Sequence, residues 1–231
     1  MQRRILLLPI AASVPPVRAQ LGKIFEKLIK PKSSDNRIID GLKEALRIGA
    51  ANAIDLTGRT DGFFANTLIR ILMPEKLRAL EKGMRVMGIG KQVDAFILAM
   101  NRSAEAAAPF ARDIFVGAIR EMTFEDARRL LTGGDTAATT YFQTKTTEKL
   151  TAAFRPVVAK TMAENDVGRH FQNVLGAARK LPLIKAESLD IESHVVAKSL
   201  DGLFLMIGNE ERKIRKDPAA RVTSILKEVF G

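Results

Sequence analysis

The sequence predicts an all-α protein built as a single multi-helix bundle, on three observations. Apolar residues recur at spacings of three and four along most of the chain, the pattern of one buried helix face. Ala is abundant, and no alternating Val-Ile-Thr run bounded by turns competes as a strand. Caps and breakers such as Pro74, Gly88, Gly133-Gly134 and Asp217-Pro218 punctuate the periodic stretches at helical lengths.

The first segment, MQRRILLLPIAASVPPVRAQ, stands apart. Arg3 and Arg4 precede an uncharged apolar run from Ile5 to Val14, and Val17 and Ala19 occupy the −3 and −1 positions of a cleavage site. This is the order of a secretory signal peptide over residues 1–19; the other reading is a disordered or surface-lying N-terminal arm. The apolar run is too short to cross a bilayer, which needs about 20 residues. No Cys stands at the cleavage point to carry a lipid anchor. A periplasmic or otherwise exported protein, soluble or peripheral, is expected.

Residues 20–35 read as a basic, loosely ordered lead-in to an all-helical domain over residues 36–231. In 36–57, Ile39, Leu42, Leu46, Ala50, Ala53 and Ile54 form one apolar face, and Asp61-Gly62 then marks a turn. Pro74 suits the first turn of a helix that sets Leu77, Leu80, Met84 and Met87 on one side and ends near Gly88 and Gly90. Val93, Phe96, Ile97, Met100 and Ala104 make the next face, with Pro109 expected to kink or restart that helix. Thr123 with Asp126 has the form of a capping box for a short helix stopping at Gly133-Gly134. Asp135 is expected to cap a helix running towards Thr151, followed by a segment containing Pro156. Helices over 168–180 and 190–216 follow the same logic, and Asp217-Pro218 starts a last one. The stretches 58–73 and 181–189 are the longest irregular connectors.

Composition removes several chemistries. The chain of 231 residues has no Cys, which excludes thiol catalysis, thiolate metal sites and disulfides. Trp is absent and Tyr141 is the single tyrosine, so stacking platforms for bases or sugars are poorly supplied. The net charge is +11, and loss of residues 1–19 would remove three Arg and no acid, leaving a strongly basic protein. Such a surface attracts polyanions. Outside the cytoplasm these are anionic lipid headgroups and wall polymers, so nucleic acid is not an expected partner.

Several strings then point the same way. GLKEAL at 41–46, TDGFF at 60–64, LTGGDTAATTYF at 131–142, SLDGLF at 199–204, RKIRKDPAA at 212–220 and LKEVFG at 226–231 occur in this order. In order and spacing the chain resembles the bacterial family called domain of unknown function 4197, over about residues 36–231. The resemblance implies an exported helical protein of the Gram-negative envelope. Members are often lipoproteins, from which this chain departs by lacking the lipobox Cys. It brings no reaction and no catalytic residues.

The familiar catalytic constellations are not found. Gly83 and Gly88 have the spacing of a phosphate-binding loop, but Ile89 stands where Lys is required. Gly88-Ile89-Gly90 lacks the third glycine of a dinucleotide site, Val93 taking its place. A di-iron bundle needs Glu three residues before each His; His170 and His194 are preceded there by Val167 and Ile191. Neither HExxH nor Gly-x-Ser-x-Gly occurs. Glu210 and Glu211 are adjacent, so on a helix they point about 100° apart and cannot flank one bond. No catalytic residue, metal ligand or cofactor is expected.

Two features remain. The run Arg212, Lys213, Arg215 and Lys216 suits a helix C-terminus, with Glu211 pairing to Arg215 at spacing four; alternatively it contacts an anionic headgroup or wall polymer. The Met and Phe inventory, including Phe96, Met100, Phe115, Phe142, Phe171, Phe204 and Met206, is either an ordinary core or the lining of an apolar cavity. The first expectation is thus a non-enzymatic envelope protein that holds a lipid or other hydrophobic ligand in a helical cavity. Its size would be on the order of several hundred cubic ångströms. The second is a scaffold whose basic face meets wall polymer, membrane surface or a partner protein. A third, a hydrolase, requires two carboxylates converging in a groove.

Overall fold

The computed structural model describes the backbone of residues 17–164 and 190–216, and the side chains within these from residue 36 onward. Among the described residues the chain is all helical, without a strand. The elements are α1 (Val17–Gly58), α2 (Arg78–Val86), α3 (Gly90–Ala107), α4 (Ala111–Glu121), α5 (Phe124–Thr132), α6 (Ala137–Glu164) and α7 (Ile191–Lys216). Segments 1–16, 165–189 and 217–231 lie outside the described residues. With them lie most of the expected signal peptide, the helix expected over 168–180, the last helix, Phe171 and His170.

The long helices make the bundle. α7 packs on α6, α1 and α3; α3 packs on α6; and α4 lies against α1 and α6. The apolar faces read from sequence for α1 and α3 are buried as expected. Leu42, Leu46, Ala50, Ala53 and Ile54 of α1 join Val93, Phe96, Ile97, Met100 and Ala104 of α3 in one continuous core. Thr123 and Asp126 form the capping box of α5, with both reciprocal hydrogen bonds present. Pro109 sits in a 3₁₀ turn, Ala108–Phe110, that separates α3 from α4.

Three expectations are corrected. The helix of α1 runs back to Val17, so residues 20–35 are helical backbone rather than an irregular lead-in. Leu21, Ile24, Phe25 and Leu28 already recur there at helical spacing. Pro156 does not end a helix but lies inside α6. An interior proline costs about 3 kcal/mol. Around it Phe154, Val158 and Met162 are buried, at roughly 1.5–3 kcal/mol each, so burial outweighs the break. Met87 does not share the buried side of Leu77 and Met84; it is 67% exposed. The α-helix stops at Val86, and Met87 leaves the helical register as its C-cap.

Two tight approaches fix the loop after α1. Gly62 is held under the end of that helix: a Cβ there would lie 2.4 Å from Leu56 O and 2.5 Å from Thr57 O. Gly202 of α7 lies against Phe63, where a Cβ would come within 2.6 Å of the ring. The strings TDGFF and SLDGLF therefore meet in space.

Candidate functional site

The expected ligand-lining side chains divide. Phe96, Met100 and Phe142 are buried in the continuous core. Phe115 packs edge-on against Phe142 at 5.0 Å between ring centroids and against Phe204 at 6.2 Å. Met206 is half-buried, its sulfur accepting from Asn66 Nδ2 at 3.7 Å. These side chains fill space by touching one another, which is what close-packed interiors do. Phe115 also borders a small pocket of about 110 Å³ beside Arg47, Arg112 and Ile54. Phe204 borders a larger one.

That larger space is a groove of about 310 Å³ between the start of α6 and the middle of α7. Thr136, Thr139, Thr140 and Gln143 line one wall; Asp201, Phe204, Leu205, Gly208 and Arg212 line the other. Each set recurs at three- and four-residue steps, so each is one helix face. Small side chains leave the gap. Gly208 is not forced there by crowding: a Cβ would meet Thr139 Oγ1 only at an ordinary 3.5 Å. Asp201 is the single carboxylate lining the groove among the described residues and is paired with Lys198 at 2.9 Å.

The end of the groove is organised by Glu211. Its buried carboxylate accepts from Ala138 N at 3.0 Å, Thr139 N at 2.9 Å and Thr139 Oγ1 at 2.8 Å. The N–H groups of a first helical turn have no partner within the helix. Glu211 caps α6 from another helix, and its charge also suits the positive end of the α6 dipole. This corrects the expectation that Asp135 is the cap. Asp135 instead bonds Lys216, and that bond holds its carboxyl below the usual carboxylate range.

The basic run separates in the same way. Arg215 pairs with Glu211 at spacing four, as expected, through Nε at 3.0 Å and Nη2 at 2.9 Å. It also donates to Leu130 O at 2.8 Å, tying down the end of α5. Its side chain is only 13% exposed, so it is a structural cation rather than a surface contact. Lys213 pairs with Glu210 at 2.5 Å and Lys216 with Asp135. Glu210 turns the other way, accepting from Asn52 of α1 at 3.2 Å, which agrees with the predicted divergence of the two glutamates. Arg212 differs from these three. It lies along the groove, donates to Asn209 Oδ1 at 2.5 Å, and forms no ion pair among the described residues, reaching the Asp135 carboxylate only at longer range.

Sequence reasoning missed the threonine wall and the role of Glu211. Thr136, Thr139 and Thr140 carry no motif that singles them out, and Glu211 lies 73 residues from Ala138, whose backbone it caps. Only the spacing of Thr136, Thr139, Thr140 and Gln143 on one face could have pointed to the wall.

Among the described residues, no helix is long and apolar enough to cross a membrane. No group of three His, Asp or Glu side chains there is placed to hold a metal ion. Comparison with known proteins gives one match: a family model, described as a protein of unknown function, that covers residues 32–231. No curated protein and no solved structure matches the chain. The match spans LTGGDTAATTYF and RKIRK, the strings that Glu211 and Arg215 bring together, and the chain belongs to the DUF4197 family.

Proposed function

We propose that this protein is a non-enzymatic binding protein of the cell envelope, and that it takes an anionic amphiphile in the α6–α7 groove. The observation that carries the reading is Arg212. It is the one member of the basic run without an ion pair among the described residues, and it lies on the groove beside Phe204 and Leu205. A guanidinium offers several donors to a phosphate or carboxylate. The hydroxyl of Thr136 offers a further hydrogen bond, and the apolar wall suits a short hydrocarbon segment. The volume is at the lower end of ordinary ligand pockets. The first expectation from sequence is thereby moved from the Phe and Met interior to the surface between two helices. The envelope location rests on the N-terminal segment and on the resemblance.

The test is native mass spectrometry of the purified protein, with lipid identification in an organic extract. A co-purifying acidic lipid, or stoichiometric uptake of lysophosphatidylglycerol, is expected for the wild type. Arg212→Gln should lose it while unfolding at the same denaturant concentration. A protein that stays empty with envelope lipids would turn the choice to the scaffold reading.

A further inference from the structure

The turn between α2 and α3 exposes apolar side chains that its own architecture does not need to expose. α2 ends in a Schellman motif: Ile89 N donates to Met84 O at 2.9 Å, Gly88 N donates to Arg85 O at 3.1 Å, and Gly88 takes the left-handed φ of 81°. Met84 is buried and Ile89 packs against the core, so the motif's own apolar contact faces inward. Val86 and Met87 project the other way, 88% and 67% exposed. A Cβ added at Gly83 or Gly88 would meet nothing within 4 Å, so this tip stands clear of the rest of the described protein.

The charges around the tip are not evenly matched. Arg78 is paired with Glu75, and Arg85 with both Glu81 and Asp94. Lys82 and Lys91 are exposed and have no acidic partner among the described residues. Lys82 is one helical turn before Val86, and Lys91 lies in the first turn of α3, on the far side of the same bend. Two apolar side chains flanked by lysines with long flexible stems suit an interface that is apolar below and negatively charged at its surface.

We propose that the α2–α3 tip docks this protein on an anionic lipid surface, with Val86 and Met87 entering the headgroup boundary and Lys82 and Lys91 meeting lipid phosphates. This site is separate from the α6–α7 groove and does not depend on a ligand there.

The absence of cysteine makes the test direct. Met87→Cys in the full chain takes a single environment-sensitive fluorophore, and Thr144→Cys, exposed on α6, serves as the comparison position. The vesicles are phosphatidylglycerol with phosphatidylethanolamine, against neutral phosphatidylcholine. A blue shift at position 87 on anionic vesicles, larger than at 144 and lost on neutral ones, is the expected result. Changing Lys82 and Lys91 to Gln in the labelled protein should weaken the response by about fivefold per lysine. No shift at 87, or equal shifts at 87 and 144, overturns the proposal, even if the protein binds the vesicles by another part. An equal shift at 87 on neutral and anionic vesicles overturns it too. A protein partner at this tip would give no shift with lipid alone.

Discussion

Glu105 and Glu211 anchor two ends of the bundle by the same chemistry, yet the surroundings they create differ. Glu105 on α3 accepts from Phe63 N at 3.0 Å and Phe64 N at 3.1 Å, and pairs with Arg102 at 2.6 Å. It thus holds the turn after α1. Glu211 on α7 accepts two consecutive backbone N–H groups at the start of α6 and pairs with Arg215. Around Glu105 the charges balance. Arg102 reaches Asp61 as well at 2.7 Å, and Arg70 stacks on Phe64 at 4.2 Å from the ring centre. Among the described residues around Glu211, Arg215 pairs with Glu211, Lys216 pairs with Asp135, and Arg212 acts on Asp135 only at longer range. One guanidinium is left over, beside an open groove. A buried carboxylate with two backbone donors is a fastening; what distinguishes a candidate site is the charge and space left unused next to it.

Removing the carboxylates tests the comparison most strongly. Glu211→Ala strands two backbone donors and the nearly buried Arg215, and should cost about 3–5 kcal/mol in urea unfolding. Glu105→Ala should cost less, about 2–3 kcal/mol, because the more exposed Arg102 keeps Asp61. An equal loss for both would break the distinction.

Two glycines on α7 sharpen it. Gly202→Ala drives a Cβ into Phe63, on the Glu105 side, and should destabilise by about 1–3 kcal/mol. Gly208→Ala, at the groove, meets only ordinary contacts and should be neutral or stabilising by up to about 1 kcal/mol through helix propensity. Thermal melts of the pair followed by circular dichroism separate the two outcomes.

The smallest effect is a pH dependence confined to the Glu105 side. His194 Nε2 donates to Leu72 O at 3.1 Å, and partial burial pushes its pKa below the ordinary 6.5. The unfolded chain then binds its proton at a higher pH than the folded one. This contribution to stability is complete above about 6.5 and falls as the pH drops towards the folded pKa. Denaturation midpoints between pH 5 and 7.5 should show the slope, and His194→Gln should flatten it.

The helical class, the buried faces of α1 and α3, the capping box at Thr123 and the Glu211–Arg215 pair were legible in the sequence. Each depends on residues within a few positions of one another, where helix geometry fixes which side chains meet. The cap of α6, the contact of Gly202 with Phe63 and the α6–α7 groove were not. Each joins segments far apart in the chain, and a side chain's periodicity says that it faces something without saying what. Pro156 and Met87 show the same limit from two directions: burial carried a helix through a proline, and the end of a helix turned a methionine outward. The sequence by itself determined which faces must be buried and which chemistries have no residues to perform them. Only the tertiary structure decided which members of the basic run were consumed in holding helices together and which, Arg212, lies along the groove without an ion pair among the described residues.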